Sequence, residues 1–114
     1  MPKTATDVKF SRKGDELVAL ITGDIDHHGT TLIRHTIDRE VQSEKPQSLI
    51  LDLSGVNFMD SAGLGLILGR YNLATRLGIG FSVNSPSPSA RRILSASGAE
   101  RIIQVFDTTS KSTD

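Results

Sequence analysis

The run Ser48-Leu49-Ile50-Leu51-Asp52-Leu53 is apolar almost without interruption and has the length of a strand. A strand with one wet face alternates apolar and polar residues, so this run reads as a strand covered on both faces and lying centrally in a sheet. Amphipathic segments flank it on both sides. From Gly29 to about Ser43, the residues Leu32, Ile33, Ile37 and Val41 fall at helical spacing, and Glu44-Lys45-Pro46 stops the run. After a connector from Ser54 to Asp60, Leu64, Ile67, Leu68, Tyr71, Ala74 and Leu77 mark a second helix that ends at Gly78.

The other elements follow the same logic. Val8 to Phe10 and Leu17 to Ile21, separated by a polar turn from Ser11 to Glu16, read as a hairpin whose second strand Gly23 ends. Ile79 to Val83 is a further strand. Ser87 and Pro88 supply the cap and first residue of a short helix running to Ser97 and closed by Gly98, and Ile102 to Phe106 is the last strand. Strands alternating with helices after a leading hairpin predict an α/β domain, a mixed sheet of about four to five strands with helices mainly on one face. The predicted division is an extension over residues 1–7, one domain over 8–107, and a Ser/Thr-rich polar tail over 108–114.

With 114 residues the chain can bury roughly two thirds of its unfolded surface, which suits a single core. Thirteen basic residues balance thirteen acidic ones, so no global charge draws it to nucleic acid or an anionic membrane. There is no cysteine, which excludes disulfides and thiolate chemistry and accords with a reducing compartment. No stretch approaches the roughly 18 apolar residues that span a bilayer, and no signal-peptide run opens the sequence. These features predict a cytoplasmic chain that makes no membrane contact.

The most unusual stretch is FMDSAGLGLILGRY, residues 58–71, in which Gly63, Gly65 and Gly69 sit where a helix should begin. Each glycine inside a helix costs about 1 kcal/mol relative to alanine, so their presence asks for close packing or for access by a partner. Asp60 and Ser61 both suit the helix N-cap, and by physics alone an ordinary cap is the default reading. The functional alternative is a Ser61 exposed at a helix N-terminus, where free amides and the helix dipole tolerate a phosphate. Two enzymatic patterns fail here. A nucleophile elbow lacks its first glycine in Met59-Asp60-Ser61-Ala62-Gly63, and the third glycine of a dinucleotide fingerprint comes one residue late, at Gly69.

This stretch, preceded by LILDLSGV and by the earlier GDIDHH, resembles the bacterial anti-sigma factor antagonists of the STAS domain family, in particular the sporulation-type antagonists. The resemblance covers about residues 8–107. It implies a non-enzymatic binding module without a cofactor. It also implies an anti-sigma factor partner with serine kinase activity, a PP2C-type phosphatase, and control of a sigma factor by the state of one serine. By position that serine is Ser61, and Ala62 stands where many relatives have a second serine. The resemblance further implies that Gly23-Asp24-Ile25-Asp26 lies near Ser61 at the partner surface. Asp24, Asp26, Asp60, Ala62, Gly63, Gly65, Leu66 and Arg70 are the expected partner contacts, on a monomeric chain. A ligand- or nucleotide-sensing STAS domain is the alternative. Relatives add a helix after the last strand, for which only Thr108 to Asp114 remain.

Other features have plainer readings. Asp24, Asp26, His27, His28 and His35 contain no His-x-x-x-His pair, and a polar loop with a helix cap explains them better than a metal site. Leu66, Arg70 and Leu73 lie off the main apolar stripe, on the outer side of the second helix, where scattered surface residues are the plainer reading and interface anchors beside Ser61 the alternative if they form a patch. Arg91 and Arg92 read as a solvated helix face. A Ser-dependent hydrolase would require one of the three histidines within reach of Ser61.

Overall fold

The central run is the hub of the sheet. In the computed structural model, which describes residues 5–107, strand β3 (Ser48–Met59) is the middle member of five strands ordered β1-β2-β3-β4-β5. Strands β1 (Asp7–Lys13) and β2 (Glu16–Ile25) form the antiparallel hairpin. From β2 onward the strands run parallel through β3, β4 (Gly80–Asn84) and β5 (Gln104–Phe106). Parallel neighbours need crossovers, and helices α1 (Thr30–Glu44), α2 (Ser61–Leu77) and α3 (Pro88–Ser97) supply them. Right-handed crossovers stepping one way across a sheet place their helices on one face. The buried side chains agree: Ile33, Ile37, Ile67, Ala90 and Leu94 from the helices share one cluster with Ile21, Leu51, Leu53 and Val83 of the strands. The mixed sheet with helices on one face is the predicted class.

The expectation of cover on both faces of β3 holds for one face only. Leu49, Leu51 and Leu53 pack under the helices, whereas Ile50 pairs in register with Val18 and Ser82 and lies outside the main cluster. Its burial comes from neighbouring strands, and among the described residues no helix lies over that face. An apolar run therefore marked centrality in the sheet correctly, but overstated the number of layers.

The ends of β2 and β3 matter most for function. Gly23 does not end β2: it sits at φ +91° within the strand, next to a register shift between Gly23 and Asp24, as a bulge residue does. The strand continues to Ile25, and β3 absorbs most of the expected connector, pairing Asp24 with Phe58 and Ile25 with Met59. The carboxyl ends of these two parallel strands thus rise together at the edge where α2 begins, the position at which open α/β sheets present their binding sites.

The helix signals hold closely. Ser87 caps α3 by accepting from the Ala90 amide at 3.3 Å, and Gly78 closes α2 at φ +73°. Strand β5 is shorter than expected because residues 99–101 form a 3₁₀ turn, whose continuation ties the Ile103 amide to Ala99 O. The predicted tail over 108–114 and residues 1–4 of the predicted extension lie outside the described residues.

Candidate functional site

At the head of α2 the two cap candidates separate. Asp60 is the N-cap: its Oδ1 accepts from the Ala62 amide at 2.8 Å, and its carbonyl accepts from Gly63 and Leu64 at 3.0 and 3.3 Å. The Asp60 amide in turn donates to Ile25 O at 3.3 Å, which ties the helix start to the end of β2. Ser61 is the first helical residue, is exposed, and its hydroxyl makes no hydrogen bond to any described residue. One carboxylate satisfies the capping demand and one hydroxyl is left over.

The three glycines divide in the same way. A Cβ on Gly63 would run into the Met59 side chain and approach Ile25 Cγ2 to 3.1 Å, so this glycine exists for close packing. On Gly65 or Gly69 a Cβ would meet nothing within 4 Å. Packing therefore gives no reason for the last two. Gly63→Ala is expected to destabilise the fold by about 1–3 kcal/mol through overpacking. Gly65→Ala should instead stabilise it by up to about 1 kcal/mol through helix propensity. Thermal unfolding of the two variants should move the midpoint in opposite directions.

The segment Gly23 to Asp26, expected as a loop, is the end of β2 and the residue after it; it lies at the same corner, but its two carboxylates differ. Asp26 is buried, and its Oδ1 accepts from the His28 and Gly29 amides at 3.0 and 3.3 Å, so it fixes the turn that leads into α1, whose N-cap is Gly29. Asp24 is half-buried beside Phe58, and its carbonyl accepts from the Thr6 hydroxyl. His27 and His28 are exposed, with ring centroids 4.1 Å apart, and no hydrogen bond joins either of them or His35 to Ser61. Among the described residues no group of three or more His, Cys, Asp or Glu could hold a metal ion.

The expected outer-side position of Leu66, Arg70 and Leu73 is corrected by the structure. Leu66 is 4%, Arg70 6% and Leu73 8% exposed. Helix α2 touches the sheet on one side and α1 on another, so its buried arc is wider than a single stripe and takes in these residues. Arg70 Nε stands 2.9 Å from Asp38 Oδ1 of α1. The contact is an ion pair without hydrogen-bond alignment, since neither atom, nor Arg70 Nη1, has a properly directed partner. Burial lowers the Arg70 pKa from its ordinary value, Asp38 opposes this, and the positive charges of Arg34 and Arg76 lower it further. Gly63, also an expected contact, is buried and closed off by Met59 and Ile25.

Leu66 and Arg70 still reach one surface, a groove of about 320 Å³ between α1 and α2 that Thr30, Arg34, Ala62, Gly65 and Gly69 also line. Sequence reading missed Thr30 and Arg34 because nothing in a single helix pattern says which neighbour it faces. It also missed Phe58, half-exposed at 50% beside Asp24, which a bulge turns outward. The accessible corner therefore consists of Ser61, Asp60, Ala62, Gly65, Asp24 and Phe58, with the groove running away from it along α2.

Comparison with known proteins is consistent along the chain. Residues 8–112 match the STAS domain family. An anti-sigma F factor antagonist of Paenibacillus polymyxa is 35% identical over 80% of this chain and 78% of its own length. Among solved structures, an anti-sigma factor antagonist from Mycobacterium paratuberculosis superposes with a TM-score of 0.83 at 23% identity, covering 96% of this chain and 92% of that one. The antagonist SpoIIAA in its unphosphorylated form gives a TM-score of 0.74 at 24% identity over 94% of this chain and 92% of that one. Bacillus SpoIIAA in its phosphorylated form gives 0.68 at 24% identity over 96% of this chain and 97% of that one. At these identities the structural likenesses establish the fold.

Proposed function

The chain belongs to the STAS domain family, and from that premise we propose that it is an anti-sigma factor antagonist whose binding is switched by phosphorylation of Ser61. It is a regulatory binding protein and not an enzyme. The unphosphorylated form binds an anti-sigma factor and so releases the sigma factor. A serine kinase activity of that partner transfers phosphate from ATP to Ser61, and a PP2C-type phosphatase removes it, in the bacterial cytoplasm and in a sporulation-type pathway.

One observation carries this reading: Ser61 is exposed and unbonded at the first turn of α2, while Asp60 alone does the capping. A phosphate there breaks no internal bond, and the positive end of the helix dipole favours it. The fold therefore survives modification. A partner seated on Ser61, Ala62 and Gly65 does not tolerate it, because about −1.5 to −2 charges and their hydration enter the contact beside Asp60. The geometry supports a division of roles among the remaining proposed contacts. Asp24, Asp60, Ala62 and Gly65 touch the partner, Asp26 shapes the loop from within, and Gly63 lets α2 sit close to β2. Leu66 and Arg70 act only through the groove.

Incubation with the anti-sigma factor encoded in the same genome and ATP is expected to add a single phosphate, mapped by mass spectrometry to Ser61. Phosphate on another residue, or none, would overturn the proposal.

A further inference from the structure

We infer that the groove between α1 and α2 receives a carboxylate side chain of the partner, seated against Arg34 and Arg70 over the bare backbone at Gly65 and Gly69. This rests on the binding function proposed above and adds to it the chemistry of a second anchor point.

Three independent features support the assignment. The first is space: Gly65 and Gly69 are one and two turns below Ser61, and a Cβ on either would meet nothing within 4 Å. These glycines cost helix stability without any internal packing in return. At about 320 Å³ the open groove has ample room for an acidic side chain.

The second is charge. Arg70 lines this groove with only 7% of its side chain accessible, its Nε and Nη1 are shut off from solvent, and Asp38 is the carboxylate that balances it, so the exposed Arg34 is the guanidinium that an incoming side chain meets first. Arg34, which also lines the groove and is exposed, acts on Arg70 with like charge, and the pair outnumbers the single carboxylate of Asp38. A positive excess thus stands in a chain whose thirteen basic and thirteen acidic residues otherwise cancel. A carboxylate is an acceptor only and matches guanidinium donors, so an acidic side chain is the complement that this wall lacks.

The third is continuity with the switch. Ala62 lines the groove and adjoins Ser61, so a phosphate on Ser61 stands at the groove's head. Its negative charge opposes entry of a carboxylate, which gives the switch an electrostatic component in addition to steric exclusion.

The test is titration of the full chain with its anti-sigma factor, using wild type, Arg34→Glu and Gly69→Leu. Arg34 is exposed and Gly69 faces open space, so both variants should keep the wild-type melting temperature to within a few degrees. Each is expected to weaken binding by about 10-fold or more. Reversal of one Asp or Glu of the partner to Lys should restore the affinity of Arg34→Glu. If wild type binds and both variants bind within about twofold of it, the groove assignment is wrong while the antagonist function stands. If wild type does not bind, both fall. Weakened binding that no acidic residue of the partner rescues would overturn the carboxylate as the occupant.

Discussion

Asp38→Ala is expected to cost the fold about 3 kcal/mol, read as a fall of roughly 10–15 °C in the melting temperature. The reason is asymmetric exposure. Arg70 keeps only 7% of its side chain accessible, while Asp38, at 28%, lies nearer to water. Nε and Nη1 already lack hydrogen-bond partners, so removing the carboxylate takes away the one charge that compensates the buried guanidinium and leaves Arg34 and Arg76 still pressing on it. Water replaces Asp38 poorly in that position, and the penalty of an unpaired buried charge dominates. The double variant Asp38→Leu/Arg70→Met should recover most of the loss, because apolar side chains of similar volume can replace an ion pair at little net cost. A melting point for Asp38→Ala within about 2 °C of wild type would show that α1 and α2 are not held by this pair.

Arg70 also shows where the sequence stops being informative. The apolar spacing of each element, the Pro and Gly punctuation and the Ser87 cap were legible because they depend on local chemistry, and β3 was legible as central because Leu49 to Leu53 left no polar face of ordinary width. The packing of α1 on α2 was not, because a periodic pattern says that a helix buries one arc and not how many neighbours share it. An arginine on that second contact looks like a surface residue until Asp38 is placed opposite. Gly23 was misread for a related reason. Glycine at φ +91° serves a strand end and a bulge equally well, and only the pairing of Asp24 with Phe58 distinguishes them. At the site itself, the Asp60-Ser61 pair announced a cap but not which residue supplied it. The answer came from a single bond, Ala62 N to Asp60 Oδ1 at 2.8 Å.

That bond makes Ser61→Ala the most informative substitution for function. The hydroxyl contributes no hydrogen bond within the fold, so stability should change by no more than about 0.5 kcal/mol. In the presence of the anti-sigma factor and ATP, the wild type is expected to lose its grip on the partner as phosphate accumulates. Ser61→Ala should remain bound throughout. Ser61→Asp carries one charge where a phosphoserine carries about −1.5 to −2, so it should bind with intermediate affinity. If Ser61→Ala were released at the wild-type rate, some other ATP-dependent event would be responsible.

The central claim is that the charge state of one oxygen decides binding, and its most direct test is calorimetric titration of the anti-sigma factor with purified chain that is either unmodified or fully phosphorylated at Ser61. The account predicts unchanged folding in both forms and an affinity at least about 100-fold weaker for the phosphorylated one. Equal affinities for the two forms would contradict it.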